Sequence, residues 1–137
     1  MSDQRTRDIG TIVESLELAA ERGGDLTQAF YEEYFRLCPD SRDLMKHVDE
    51  HVQGRMLASV HELLMLPDSD EQARFIAFET QTHRSYGARR YMYDRLFRAL
   101  RSVVRDVSGD DWNPAWDDAW DRRVEALLEG IDDYAMV

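Results

Sequence analysis

His83 is the residue whose type and position best suit it to chemistry. It follows a stretch in which apolar residues recur at helical spacing, with Ile76 and Ala77 among them. Gly87 comes soon after it and allows the left-handed turn that ends many helices. This order predicts an imidazole at the C-terminal end of a helix, where it faces other helices and could bind a buried metal. A lone histidine is more often structural or solvated, so the residue alone leaves both interpretations open.

The other histidines are weaker candidates. His47 and His51 are four residues apart, a spacing that two metal ligands on one helix can have, but no third ligand is indicated and the Glu of the zinc-protease motif is missing. A di-iron bundle needs Glu three residues before His, and none of the four histidines has one. The sequence also lacks a Gly-rich phosphate loop, a Gly-x-Ser-x-Gly motif and a Cys-x-x-Cys pair. Because these motifs are absent, the sequence does not predict any of the enzyme classes that they identify.

Length and charge narrow the class of protein. A chain of 137 residues predicts a single domain over residues 1–137. The net charge of -11 argues against binding a nucleic-acid backbone. One cysteine, Cys38, cannot form an internal disulfide and fits a reducing compartment. With no apolar N-terminal run and no long apolar stretch, we predict no signal peptide, no membrane span and a cytoplasmic location.

The elements that must position His83 are predicted to be helices only. Gly and Pro lie almost entirely at the edges of segments with 3.6-residue periodicity, so we predict an all-α fold of six or seven helices around one core. The first two predicted helices are Thr6–Arg22 and Leu26–Leu37, the second capped by Asp25, and Pro39 begins a short third helix. The next helix runs from His47 or Val48 to before Leu66, and the one after it is capped by Ser69 or Asp70 and delivers His83. The last two are Arg90–Val107 and a helix begun by Asn113 and Pro114.

Four motifs, taken in order, carry a resemblance to a known family. They are Phe30-Tyr31-Glu-Glu-Tyr34-Phe35 before Pro39, Gln53-Gly54-Arg55-Met56-Leu57, Thr82-His83-Arg84-Ser85-Tyr86, and Ala119-Trp120. Their order and separations resemble the globin family, most closely the single-domain bacterial globins and the globin domain of flavohaemoglobins, over essentially the whole chain. The resemblance implies the globin fold, with six to eight helices around a haem pocket, and haem b held without covalent attachment.

The resemblance also implies a role for individual residues. His83 falls on the proximal histidine that binds haem iron, and Gln53 and Tyr31 fall on the distal positions that face the bound gas. Leu57 would be an apolar wall of the distal pocket, and Tyr93 a hydrogen-bond partner near the proximal imidazole. Arg55 is a candidate for the haem propionates, as are Arg84, Arg89 and Arg90.

Two positions depart from the family pattern. Met45 stands where the family places a haem-stacking Phe, so an adaptable apolar side chain replaces the stacked ring. The Glu that flavohaemoglobins place late in the last helix, to polarise the proximal histidine, has no match; Asp132 and Asp133 are merely nearby.

The implied function is reversible binding of a diatomic gas, O2 and possibly NO or CO, as in oxygen transport. An alternative is a nitric oxide dioxygenase, which would need electrons from a separate reductase because the chain has no room for a flavin domain. The missing Glu counts against that enzyme, and no residue is assigned a catalytic role. A third alternative, kept open by Met45, is a haem-free globin-like module for signalling or interaction.

Overall fold

Helices make up almost all of the structure. The computed structural model describes residues 2–67 and 69–135, and these residues form seven α-helices and one short 3-10 helix, with no strand among them. The predicted all-α class is therefore confirmed, and the helix number is consistent with a globin-like fold. In chain order the helices are α1 (Ser2–Gly23), α2 (Thr27–Leu37), α3 (Pro39–Leu44), α4 (Glu50–Met65), α5 (Asp70–Ser85), α6 (Arg90–Ser108) and α7 (Pro114–Ala135), with the 3-10 turn at Gly109–Asp111.

Most helix ends follow the local signals in the sequence. Pro39 occupies the first turn of α3. The side chain of Ser69 accepts the backbone N–H of Gln72 at the start of α5, and the side chain of Asn113 accepts that of Trp116 at the start of α7. These three predicted starts are confirmed.

Three helix starts differ from the prediction. Helix α2 begins at Thr27, with Leu26 rather than Asp25 at its N-cap position, although the Asp25 carboxylate accepts the backbone N–H of Thr27 at 2.9 Å. Helix α1 begins at Ser2 rather than Thr6. Helix α4 begins at Glu50 because Asp49 caps it, accepting the backbone N–H of Val52 at 2.9 Å. His47 therefore lies in the turn before α4, so it does not share a helix with His51 and the spacing proposed for metal binding is not realised on one helix face.

The core lies where α1, α2, α6 and α7 pack together. Its largest fully buried side chains include Phe30, Phe97 and Trp120. The Trp120 indole N–H donates to the hydroxyl of Ser15 at 3.0 Å, so the polar atom of this large ring is satisfied inside the core. None of the helices in the described ranges is long and apolar enough to cross a membrane.

Two consecutive arginines of α7 attach it to other helices. Arg122 donates two hydrogen bonds of 2.9 Å to the buried carboxylate of Asp8 on α1, and this contact lowers the pKa of Asp8. Arg123 is 3% exposed and donates to the carbonyl oxygens of Leu63 and Leu64 at 3.1 and 3.0 Å. Because these carbonyls lie in the last turn of α4, the buried cation also meets the negative end of the helix dipole.

Helix α5 rests mainly on α7 and only lightly on α4. Gly130 permits the close approach, because a Cβ there would lie 3.1 Å from Cδ1 of Ile76. Ile76 and Thr80 form the buried stripe of α5, and His83 continues this stripe one turn later. Gly87 follows with a φ of 94°, as predicted for the turn that ends the helix. The packing on α7 therefore fixes the helix that carries the imidazole.

Candidate functional site

The His83 ring is held by its own helix. Its Nδ1 lies 2.7 Å from the backbone carbonyl oxygen of Glu79, one turn earlier in α5. A carbonyl oxygen can only accept a hydrogen bond, so Nδ1 must carry the proton. In the neutral ring the lone pair is then on Nε2. This is the arrangement in which an outer hydrogen bond fixes the tautomer and orientation of a metal-binding histidine.

A carboxylate lies beside this imidazole, and a buried phenol lies within electrostatic reach of that carboxylate. Oε2 of Glu79 is 3.6 Å from Nδ1 of His83, which places a negative charge next to the ring. The Tyr93 hydroxyl is buried and has no hydrogen-bond partner. Burial and the Glu79 charge raise the pKa of Tyr93 to about 12, so the phenol is neutral at pH 7. Tyr93 thus lies within electrostatic reach of the residue that holds His83, but without a hydrogen bond to the imidazole.

The two residues implied on the distal side meet directly. Tyr31 on α2 is buried, and its hydroxyl donates to the backbone carbonyl oxygen of Gln53 on α4 at 3.1 Å. Burial raises the pKa of Tyr31 well above its ordinary value, so the phenol keeps its proton. Leu57 lies one turn after Gln53 and is 3% exposed. Tyr31 therefore joins α2 to α4 through Gln53, and Leu57 belongs to the same buried cluster as Tyr31.

One continuous apolar cluster connects the two sides. Tyr31 and Leu57 are buried members of the hydrophobic core, and Met45 and Tyr93 pack against it from α3 and α6. Met45 is half-buried at the C-terminal end of α3. The structure therefore brings together the apolar residues singled out in the sequence, with Gln53 and His83 on the helices that border them.

The proposed propionate partners are on the surface. Arg55, Arg84 and Arg89 are exposed. Arg90 forms an ion pair with Asp132 of α7, with Nε 2.7 Å from the carboxylate, so both of these side chains are already paired. The side chain of Asp133 lies outside the described residues.

Glu79 belongs to the site because it contacts His83, and His61 is a second polar residue that the sequence did not predict to be buried without a partner. Nε2 of His61 is buried and has no hydrogen-bond partner, and burial lowers the pKa of this ring. Its position four residues after Leu57 and eight after Gln53 was the available signal, because these three share a helix face. Glu79 lies one turn before His83, but the sequence does not show which acidic residue of an exposed helix turns towards a neighbouring ring.

The donor set of the site is a single imidazole. Across residues 2–67 and 69–135, no group of three or more His, Cys, Asp or Glu side chains could hold a metal ion. Two open clefts, of about 490 Å³ over Phe97 and Leu128 and about 670 Å³ beside Ser69 and Gly130, are not lined by His83. Arg90 borders the first of these clefts and its partner Asp132 borders the second. A metal at His83 would therefore have to bring most of its own ligands.

No protein-family model matches the chain, and no curated protein matches it.

Proposed function

We propose that this chain is a haem-binding, globin-like protein that binds a diatomic gas reversibly, with His83 as its ligand to the iron. O2 is the proposed gas, with NO and CO as further ligands. The observation that carries the proposal is the 2.7 Å bond from Nδ1 of His83 to the Glu79 carbonyl, because it leaves Nε2 as the donor nitrogen.

The residues present fit haem b better than a bare metal ion. Haem would bring its own nitrogen ligands to the iron and would supply the gas-binding chemistry, so the single imidazole of His83 would be sufficient to hold it. The sequence has no Cys-x-x-Cys-His motif and its one cysteine, Cys38, is buried, so attachment would be non-covalent. The buried Tyr93 hydroxyl, which has no hydrogen-bond partner and lies within electrostatic reach of Glu79, also supports a further group at this site.

The chain's own residues would divide the work between the two sides. His83 supplies the nitrogen ligand, and the Glu79 carbonyl keeps its ring from turning. Tyr31 and Gln53 supply hydrogen-bond donors for a ligand that gains negative charge. Leu57 and Met45 keep water away. The exposed Arg55, Arg84 and Arg89 remain candidates for the propionates, whereas Arg90 is paired with Asp132.

The test is titration with hemin, followed by reduction with dithionite and addition of CO. We expect a Soret band in the wild-type protein and a CO shift after reduction. His83→Ala should abolish or strongly shift the band. His51→Ala, which removes an exposed histidine from α4, is the matched control and should leave the spectrum unchanged. If His83→Ala gives a normal spectrum, His83 is not the ligand; if the wild-type protein stays colourless, the haem-free module replaces this proposal.

A second candidate is a nitric oxide dioxygenase that takes electrons from a separate reductase, with the balance NO + O2 + e⁻ → NO3⁻. The observation that favours it is the Glu79 carboxylate 3.6 Å from Nδ1 of His83. A negative charge there increases the electron-donating strength of the imidazole, which is the role of the late-helix Glu that the sequence lacks. A reductase and a free Cys38 both fit a cytoplasmic location.

NO consumption by the hemin-loaded protein, with a flavin reductase and NADH added, separates the two candidates. Rapid consumption with nitrate as product supports the enzyme. Stable gas binding with no turnover supports the carrier.

A further inference from the structure

Two exposed apolar side chains lie together at the turn between α5 and α6. Tyr86 is 77% exposed, and Leu44, at the end of α3, is 45% exposed. A Cβ on Gly87 would lie 3.5 Å from Cδ2 of Leu44, so the end of α3 packs against the turn that carries Tyr86. The Tyr91 hydroxyl of α6 donates to the Asp40 carboxylate of α3 at 2.5 Å and holds these two helices together. Neighbouring exposed apolar groups mark a contact surface more strongly than scattered ones do.

Arginines without a carboxylate partner lie beside these apolar groups. Residues 84–95 contain four Arg and one Asp, a formal charge of +3 in a chain whose net charge is -11. Arg84, Arg89 and Arg95 form no ion pair with any carboxylate in the part of the chain that the structure describes. The guanidinium of Arg95 instead lies 5.0 Å from the centre of the Tyr91 ring. The turn is therefore locally basic.

These groups form the corner surface, which consists of Leu44, Arg84, Tyr86, Arg89, Tyr91 and Arg95. The charges of the adjoining α3 segment cancel, because Asp40 and Asp43 are balanced by Arg42 and Lys46. At physiological ionic strength, exposed charges more than about 8 Å away are largely screened. A partner that approaches the corner surface therefore meets its local positive charge and not the net charge of the chain. The complementary partner is a protein face that is rich in Asp and Glu around an apolar centre.

The corner surface is joined to His83 through the backbone. The carbonyl oxygen of His83 accepts hydrogen bonds from the backbone N–H groups of Tyr86 and Ala88, each at 3.0 Å. A protein bound at the corner surface is therefore separated from the imidazole of His83 by a short path of covalent and hydrogen bonds. Electron transfer between two proteins requires such a short path between their redox centres.

We propose that the corner surface docks an acidic electron-carrier protein. The docking follows from the surface, whereas the electron transfer rests on the proposed function. One electron passes from the reduced carrier to ferric iron, which becomes ferrous, and no bond is formed or broken. A second copy of this chain fits the surface poorly, because a two-fold contact would place the arginines of one copy against those of the other.

The first experiment measures the binding of an oxidised flavodoxin, a small acidic flavin protein, by isothermal titration calorimetry at low and at high salt. We expect the Kd to rise with salt, because the contact is between exposed charges. Arg95→Glu and Tyr86→Ser should each raise the Kd at least threefold at low salt. Arg95 is the residue to change because Arg84 and Arg89 are also candidates for the propionates.

Each variant has a matched control. Arg105→Glu makes the same change of charge at an exposed residue of α6, about 15 Å further along the helix than Arg95. Phe78→Ser removes an aromatic side chain that is 67% exposed on α5 and lies outside the corner surface. Both controls should bind flavodoxin with the wild-type Kd, and circular dichroism should show wild-type helix content in all four variants. Equal weakening in Arg95→Glu and Arg105→Glu, or a wild-type Kd in both Arg95→Glu and Tyr86→Ser, would overturn the proposal.

The second experiment follows reduction of the ferric, hemin-loaded protein by reduced flavodoxin in a stopped-flow spectrometer. Arg95→Glu should slow this reduction at least fivefold at low salt. It should leave the Soret band and the rate of reduction by dithionite unchanged, because dithionite is a small reductant that needs no docking surface. An equal loss of rate with both reductants would place the effect of Arg95 at the haem site and would overturn its role in docking.

Sedimentation with vesicles of phosphatidylglycerol separates a protein partner from an anionic membrane. Binding to the vesicles without binding to flavodoxin would overturn the proposal in favour of a membrane surface. If hemin does not bind but flavodoxin binds at the corner surface, the proposed function and the electron transfer fail, while the docking surface stands. If hemin binds and flavodoxin does not, the docking proposal alone fails.

Discussion

If the chain binds gas as proposed, replacement of Tyr31 by Phe measures how much the phenol of Tyr31 stabilises that ligand. A hydrogen bond to a charged acceptor contributes about 1.5–3 kcal/mol. In the structure the phenolic hydrogen is already donated to the Gln53 carbonyl at 3.1 Å, and giving up a neutral bond of this kind costs about 1 kcal/mol. The net stabilisation of the ligand is then about 0.5–2 kcal/mol. Tyr31→Phe should therefore speed O2 dissociation by about two- to thirtyfold.

The assay is stopped-flow displacement of O2 by CO from the reduced, hemin-loaded protein. Tyr34→Phe is the matched control, since it also removes a buried phenol hydroxyl from α2. That hydroxyl bonds to Ser41 instead of Gln53. The O2 dissociation rate of Tyr34→Phe should equal that of the wild-type protein. An unchanged rate in Tyr31→Phe removes Tyr31 from the site. An equal increase in both variants would mean that the effect comes from altered packing of α2.

Three further substitutions test other parts of the structure. Glu79→Gln should raise the reduction potential of the hemin-loaded protein on the order of tens of millivolts, because a negative charge beside the imidazole favours ferric iron. Glu71→Gln, at the other end of α5, is the control and should leave the potential unchanged. Equal potentials in the two variants would exclude the charge effect. Asp8→Asn should lower the free energy of unfolding by about 1–2 kcal/mol at pH 7. Arg122 lowers the pKa of Asp8 in the folded state, so this stabilisation is present above the unfolded-state pKa and is lost as pH falls through the folded-state pKa. The free energies of unfolding of the wild-type protein and Asp8→Asn, measured by urea titration, should therefore converge in acid. A constant difference between them down to pH 2 would contradict this. Arg123→Met should lower the free energy of unfolding, again measured by urea titration, by about 3–5 kcal/mol, since it leaves buried carbonyls of α4 without their cationic donor. A loss below about 1 kcal/mol would show that other donors replace Arg123.

Local signals made the helices predictable. Apolar residues every three to four positions, Ser69 and Asn113 as side-chain caps, and Pro39 in a first turn depend only on neighbours in the chain. The start of α4 was the main error, because both Asp49 and the preceding apolar Val48 are compatible with a helix start. The hydrogen bond from Val52 to Asp49 decided between them.

The site was predictable only in part. A resemblance in motif order selected Tyr31, Gln53, Leu57 and His83, and the structure puts Tyr31 in contact with Gln53. The tautomer of His83 could not be predicted, because it depends on which atom of Glu79 faces the ring. The isolated hydroxyl of Tyr93 could not be predicted either, since a missing partner is a property of the whole surrounding packing.

The sequence by itself determined an all-helical chain and the helices that carry three of its four histidines, His51, His61 and His83, because periodicity and capping act within a few residues. Tertiary structure decided which polar atoms meet across helices: Tyr31 with Gln53, Tyr91 with Asp40, and Arg123 with the end of α4. These contacts join residues 22 to 59 positions apart, so they depend on how the helices pack and not on the local spacing of residues.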